Sequence, residues 1–155
     1  ELLGYGDENT FYGWIVLNRK NLMTNYRYGR EARCLLMGRI TITGNSVQFN
    51  KIVCYDGTRA TSGTSFTTKD GTVSMWRGAE GRCYLNIPSA WFSDMEDILV
   101  QATGYGWVSG STSSPCKATA TPTSKTSIRF DVSDDASNND GSFMFAIYNM
   151  NDWMY

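Results

Sequence analysis

Histidine is absent from this 155-residue sequence, and the chemistry open to it narrows at once. Imidazole is the commonest general base, and without it no Ser-His or Cys-His triad can be assembled. Metal hydrolysis through imidazole ligands is closed as well. No G-x-S-x-G elbow, Walker loop or dinucleotide fingerprint occurs. What survives is a carboxylate pair of the kind that cleaves glycosidic bonds, which needs two such groups ~5–9 Å apart across a cleft. Asp94, Glu96 and Asp97 are candidates, as are Asp131 and Asp134. Nothing in their spacing brings two of them together across a cleft. On strands or turns such groups are more often solvated charges, so the chain is read as a non-enzyme.

Oxygen donors cluster in residues 133–141, SDDASNNDG. Asp134, Asp135, Asn138 and Asp140 are the donor types that a Ca²⁺ ion takes. Their spacing does not match an EF-hand. The plainer reading is a turn of residues that tolerate left-handed backbone, delivering the chain into its last strand through Asp140-Gly141. Cysteines stand at 34, 54, 83 and 116 with no CxxC pair, so zinc is not expected. They leave open two bridges, in any of three connectivities, or four thiols buried as small apolar side chains; the second is preferred. No cofactor is expected.

The aromatic residues divide by context. Trp14, Phe49, Phe130, Phe143 and Phe145 sit in alternating strands and read as core. Tyr105 and Trp107 lie among glycines beside a Ser-rich loop, Trp91 stands in a short acidic segment after a proline, and Trp76 closes a hairpin next to Arg77. Aromatic rings exposed in polar loops stack on sugar faces and anchor protein contacts. Tyr105, Trp107, Trp91, Trp76 and Arg77 are therefore the candidate ligand-binding residues. The alternative for Trp107 is that it folds back to cover one end of the domain.

The elements that must position these residues are strands. Residues 34–55, CLLMGRITITGNSVQFNKIVCY, read as a hairpin turning at Gly44-Asn45, with Gly44 in the positive φ of a type II′ turn. Ile42 then faces Val47, Ile40 faces Phe49 and Leu36 faces Val53, an apolar face broken only where Lys51 lies opposite Gly38. A slip of one residue would set apolar against polar at every pair. The favoured register puts Cys54 opposite Leu35 and Cys34 opposite Tyr55, on opposite faces, which argues against a bridge between them. Further strands are expected at 11–18, 65–68, 72–77, 82–87, 98–103, 128–132 and 142–149. Residues 116–126, with Pro122, fit an edge strand or an extended linker. Residues 19–33 fit a helical turn with an edge strand, residues 58–65 an exposed loop. Residues 89–97 are the only plausible helix, with Ser89 as its cap, and fit a loop equally well.

Nine or ten strands at a spacing of ~8–12 residues predict an all-β fold. The expected architecture is an antiparallel, jelly-roll-like β-sandwich with at most one short helix, residues 1–155 forming a single domain. The formal net charge of -1, with no basic run, disfavours nucleic acid as a partner. No apolar stretch approaches the ~20 residues needed to span a bilayer. The opening Glu1-Leu2-Leu3-Gly4 reads as the end of an upstream element, and so suggests the C-terminal part of a longer chain.

The run SAWFSDMEDILVQATGYG, the ending TSIRFDVSDDASNNDGSFMFAIYN and the lack of histidine resemble the distal domains of phage tail fibres and related adhesins. The resemblance covers the C-terminal half and lies in its general character, with polar strands, Asp/Asn/Gly turns and a closing terminal strand. It shares no diagnostic motif and transfers no functional residue. It implies a homotrimeric fibre tip, on a virion or cell surface, that recognises a cell-surface glycan or receptor protein, with cysteines kept reduced by folding in the host cytosol. Two other functions remain open: a self-assembling structural subunit without a ligand, and a secreted carbohydrate-active enzyme using paired carboxylates. Loss of glycan binding on Trp107→Ala is what the first reading expects.

Overall fold

The structure, a computed structural model, describes residues 33–135 and 137–151. The expectations for residues 4–32, including the strand at 11–18 and Trp14, lie outside the described residues. Residues Cys34–Tyr148 form a compact unit of their own. Among the described residues ten strands run in order: β1 (Arg33–Thr43), β2 (Ser46–Cys54), β3 (Arg59–Ala60), β4 (Ser65–Thr68), β5 (Gly71–Ala79), β6 (Arg82–Asn86), β7 (Ile98–Tyr105), β8 (Lys117–Ser124), β9 (Ser127–Ser133) and β10 (Ser142–Asn149). They form two five-stranded sheets. The first has the order β8-β9-β6-β5-β4 and the second β3-β2-β1-β10-β7. The all-β sandwich expected from the alternating sequence is thus present. Pro122 lies on β8, an edge strand, where a missing N–H leaves no gap in the ladder.

The period-two pattern fills the space between the sheets. Val73, Met75, Cys83, Leu85, Ile128, Phe130 and Val132 come from the first sheet; Leu36, Ile40, Ile42, Phe49, Ile52, Phe143, Phe145 and Ile147 come from the second. Phe130 packs on Phe143 at 4.8 Å and on Phe145 at 5.3 Å between centroids. Burying each such ring or branched side chain stabilises the fold by about 1.5–3 kcal/mol before the cost of ordering it.

The hairpin keeps its expected register only next to the turn. Ile42 pairs with Val47 and Ile40 with Phe49, but beyond them Arg39 pairs with Lys51, Gly38 with Ile52 and Leu36 with Cys54. Asn50 is the extra residue of a β-bulge, and Thr41 Oγ1 donates to its Oδ1 at 2.6 Å. The bulge sends Lys51 out and Ile52 in, which removes the polar exception in the apolar face. Gly38 has a physical reason as well: a Cβ there would lie 2.3 Å from Lys51 O and 2.5 Å from Ile52 Cδ1. The bulge also removes the register that would set Cys34 and Cys54 on opposite faces, although the two are not bonded and all four cysteines are free thiols. Residues 44–45 do form the turn, yet Gly44 is not among the glycines with positive φ.

A further correction concerns residues 58–65, and residues 89–97 take the looser of their two readings. Arg59–Ala60 is a two-residue strand on the edge of the second sheet, paired with Val53 and Ile52. In place of a helix there are two 3₁₀ turns, Ser89–Trp91 and Met95–Asp97. Trp91 and Phe92 are consecutive and both buried, and the chain turns extended at Phe92, with φ -138° and ψ 137°, which ends the first turn. Ser89 makes no capping bond. Asp94 caps the second turn, accepting from Glu96 N, while Asp97 accepts from Asp94 N at 3.1 Å.

Candidate functional site

The outward positions of the first sheet form rows fixed by strand register. Ser74, Asn86 and Ser127 make one row; Trp76, Tyr84, Arg129 and Thr121 make the next; Arg82, Asp131 and Thr119 make a third. Their alternation with the buried Met75, Cys83, Leu85, Ile128 and Phe130 places all of them on the solvent side. This face is polar except for one feature. Trp76 stacks on Tyr84, with ring centroids 4.5 Å apart and planes 14° from parallel. Trp76 remains 50 % exposed, so one ring face meets Tyr84 and the indole is still open to solvent. Gly78 gives the tyrosine its place: a Cβ there would come within 2.6 Å of the Tyr84 ring.

Charge flanks the stack. Asp131 accepts from Arg82 Nε at 2.6 Å through one oxygen and from Arg129 Nε at 2.8 Å through the other. Both arginine side chains are about a third exposed. The Asp131 carboxylate holds the Arg82 guanidinium above its already high range. Beside the aromatic pair this gives an ordered line of planar cations, one carboxylate, hydroxyls and an amide. Such a surface can cover the apolar face of a flat polar molecule and hydrogen-bond its rim.

The structure separates the other candidates. Tyr105 lies on the outer side of the second sheet, 46 % exposed, with the Arg39 guanidinium 4.3 Å above its ring. Trp107, 53 % exposed, bridges Pro115 in the connection from β7 to β8. Two candidates are corrected. Trp91 is 5 % exposed; its Nε1 donates to Asp70 at 2.9 Å and its ring packs edge-on to Tyr55 at 6.3 Å. A covered ring cannot stack on a ligand. Arg77 points inward and spends its Nη2 on both oxygens of Asp140, at 2.9 and 3.0 Å.

That same pairing takes Asp140 out of the acidic loop. Its carboxylate is buried, and it also accepts from Gly81 N at 2.8 Å. Asp135 pairs with Lys117. Asp134 accepts from Ser137 N at 3.0 Å and Asn139 Nδ2 at 2.9 Å, and Asn138 is exposed, its backbone bridging Ser133. The four residues are drawn in different directions, and among the described residues no three acidic or thiol side chains gather into a cage for a metal ion. Of the catalytic candidates, Asp94 and Asp97 are committed to a capping box and Asp131 to two arginines, while Glu96 is exposed beside that box.

Sequence reasoning names Trp76 and Asp131 but misses Tyr84, Arg82 and Arg129. The signal is present in the alternation of RCYLN and SIRFDVS, which puts Arg82 and Tyr84, and likewise Arg129 and Asp131, on one face of each strand. What the alternation does not carry is the adjacency of β6 and β9, two strands that are not consecutive in the chain. In comparison with known proteins, no family model, no curated protein and no solved structure matches this chain.

Proposed function

We propose that the chain is a non-catalytic receptor-binding module that recognises a cell-surface glycan on the outer face of its first sheet. The fibre-tip setting expected from the sequence, with its homotrimer and its virion or cell-surface location, is part of this proposal. The observation that carries it is the stack of Trp76 on Tyr84, a half-exposed indole preorganised on an otherwise polar sheet face. A pyranose ring offers an apolar C–H face and a rim of hydroxyls. Trp76 would take the first, and Asn86, Arg129 and Thr121, in the same and the neighbouring row, the second. An aromatic anchor of this kind loses little conformational freedom on binding, and tyrosine stacking has removed part of that freedom already.

The test is a glycan array followed by titration of intrinsic tryptophan fluorescence. Trp76→Ala should weaken binding by about 30-fold or more, with circular dichroism unchanged. Tyr105→Ala and Trp107→Ala, which alter other parts of the surface, should bind as the parent does. Failure of the parent chain to bind any glycan would overturn the proposal. So would loss of binding in Trp107→Ala with Trp76→Ala intact.

A further inference from the structure

We infer that the glycan bound by this face carries a carboxylate, as uronic and sialic acids do, and that Arg129 is the residue that selects it. The inference rests on the glycan-binding reading above and adds the ligand's charge. Arg129 stands in the same row as the stacked pair, directly across from Tyr84. Arg82 stands in the next row, across from Asp131. The single carboxylate between them is satisfied through both oxygens by the two Nε atoms. The terminal amino groups of the two guanidinium groups have no other partner among the described residues. Two cations against one anion leave this patch at about +1 by formal charge, in a chain whose formal net charge is -1. The nearest further charge along β6 is Glu80 in the turn beyond Arg82, on the side away from Arg129.

The Asp131 bridge also explains why these arginines suit recognition. It fixes two long side chains that would otherwise lose rotamer freedom on binding a ligand. It holds them by Nε, leaving the fork of terminal N–H groups to meet a second carboxylate in a planar, two-point contact. Arg129 lies beyond Tyr84 in the row that starts at Trp76, so an oligosaccharide anchored on Trp76 and running along the row sets a following ring beside Arg129. A carboxylate on that ring is the substituent such a fork matches, while a neutral hydroxymethyl group at the same position would use only one donor.

The test uses the whole chain and two pairs of oligosaccharides. One pair is a uronate oligosaccharide and its carboxyl-reduced form; the other is a sialylated glycan and its asialo form. At least one acidic member should bind about five- to tenfold more tightly than its neutral partner, with the difference shrinking at high salt. Arg129→Gln should erase that difference, bringing the affinities for the acidic and neutral members of the pair together. Arg129→Lys, which keeps the charge but loses the fork, should restore only part of it. Neutral forms binding the parent chain as tightly as the acidic ones would overturn the inference and leave the glycan-binding reading standing. A preference for acid that survives in Arg129→Gln would likewise overturn the assignment to Arg129. Absence of binding to all four compounds and to the wider array would overturn the reading on which the inference rests.

Discussion

At the scale of single residues, burial separates side chains that the sequence presents alike. Cys83 is completely buried, and loss of solvation pushes its thiol up to about 12. Burial raises the Cys54 and Cys34 thiols too, and Cys116 is buried. Since the thiolate is the reactive species, a thiol at 12 is ionised to about one part in ten thousand at pH 8. Titration of the native protein with dithionitrobenzoate at pH 8 should therefore be slow, beginning at the half-buried Cys34. The unfolded chain should release all four thiols at once. No thiol in the unfolded, unreduced protein would mean two bridges and would overturn this reading. The preference for four thiols over two bridges was legible, because free cysteine behaves as a small apolar residue. The fates of Trp91 and Arg77 were not. A tryptophan beside Ser and Asp reads as a surface residue until its partners, Asp70 and Tyr55, are brought to it from distant turns. Arg77 ends a strand like any surface arginine, and only Asp140, 63 residues on, reveals that it turns inward.

Among the elements, alternation made most strands legible, and β10 falls on the expected residues 142–149. The places where the reading failed are those where the period of two breaks: the bulge at Asn50, the short β3 and the paired burial of Trp91 and Phe92. Strand order was not legible, since it depends on contacts between distant segments. A similar long-range contact governs β7 and β8, edge strands of different sheets. Cys116 N donates to Gly106 O at 3.0 Å, and a Cβ on Gly104 would lie 2.0 Å from Cys116 O. Backbone, not a movable side chain, occupies that space. Gly104→Ala should destabilise the protein by about 2–4 kcal/mol. Gly106 supplies the comparison: its φ is 76° and nothing lies within 4 Å of a Cβ placed there. Gly106→Ala should cost only the conformational strain, about 1–2 kcal/mol. Urea unfolding of the two variants measures the difference. Equal losses would show that β7 and β8 do not approach through Gly104.

Across the whole molecule, the two sheets are tied by polar contacts near opposite ends of β5. At its far end Arg77, from the first sheet, meets Asp140, on the chain entering β10 of the second. Before its start lies the other tie. Asp56, just beyond β2, accepts from Lys69 N at 2.9 Å in the turn between β4 and β5. Tyr55 Oη donates to Asp70 in that same turn, and Asp70 also accepts from Trp91. Between these ends, residues 63 and 64 bond to both sheets, through Phe49 N at 2.9 Å and Met75 N at 2.8 Å. The tie before β5 is built from ionisable groups, so it should respond to pH. Hydrogen bonds from Tyr55 and Trp91 hold the Asp70 carboxyl below its ordinary value, and backbone donors from Lys69 and Thr58 hold Asp56 well below the usual carboxylate range. A carboxyl lowered on folding contributes stability that is fully present above the unfolded value of ~3.9, and loses it as pH falls through the lower folded value. Tyr55 moves the other way. The hydrogen bond to Asp70 raises its phenol, so its contribution is present below ~10 and is lost as pH rises through the higher folded value. Stability should then hold level from ~3.9 to ~8.5, where the raised thiols of the buried cysteines begin to lose theirs, and fall on both flanks, Tyr55 adding to the alkaline loss above ~10. Asp70→Asn removes the partner that shifts Tyr55. It should lower the plateau, reduce the acid-side loss to what Asp56 and the other carboxylates supply, and remove the Tyr55 share of the alkaline loss. Thermal unfolding of the parent and Asp70→Asn chains from pH 2 to 11 reads all three changes. Curves that differ by a constant offset at every pH would show that this end of the sandwich is held by packing of Tyr55 on Trp91 rather than by the carboxylate between them.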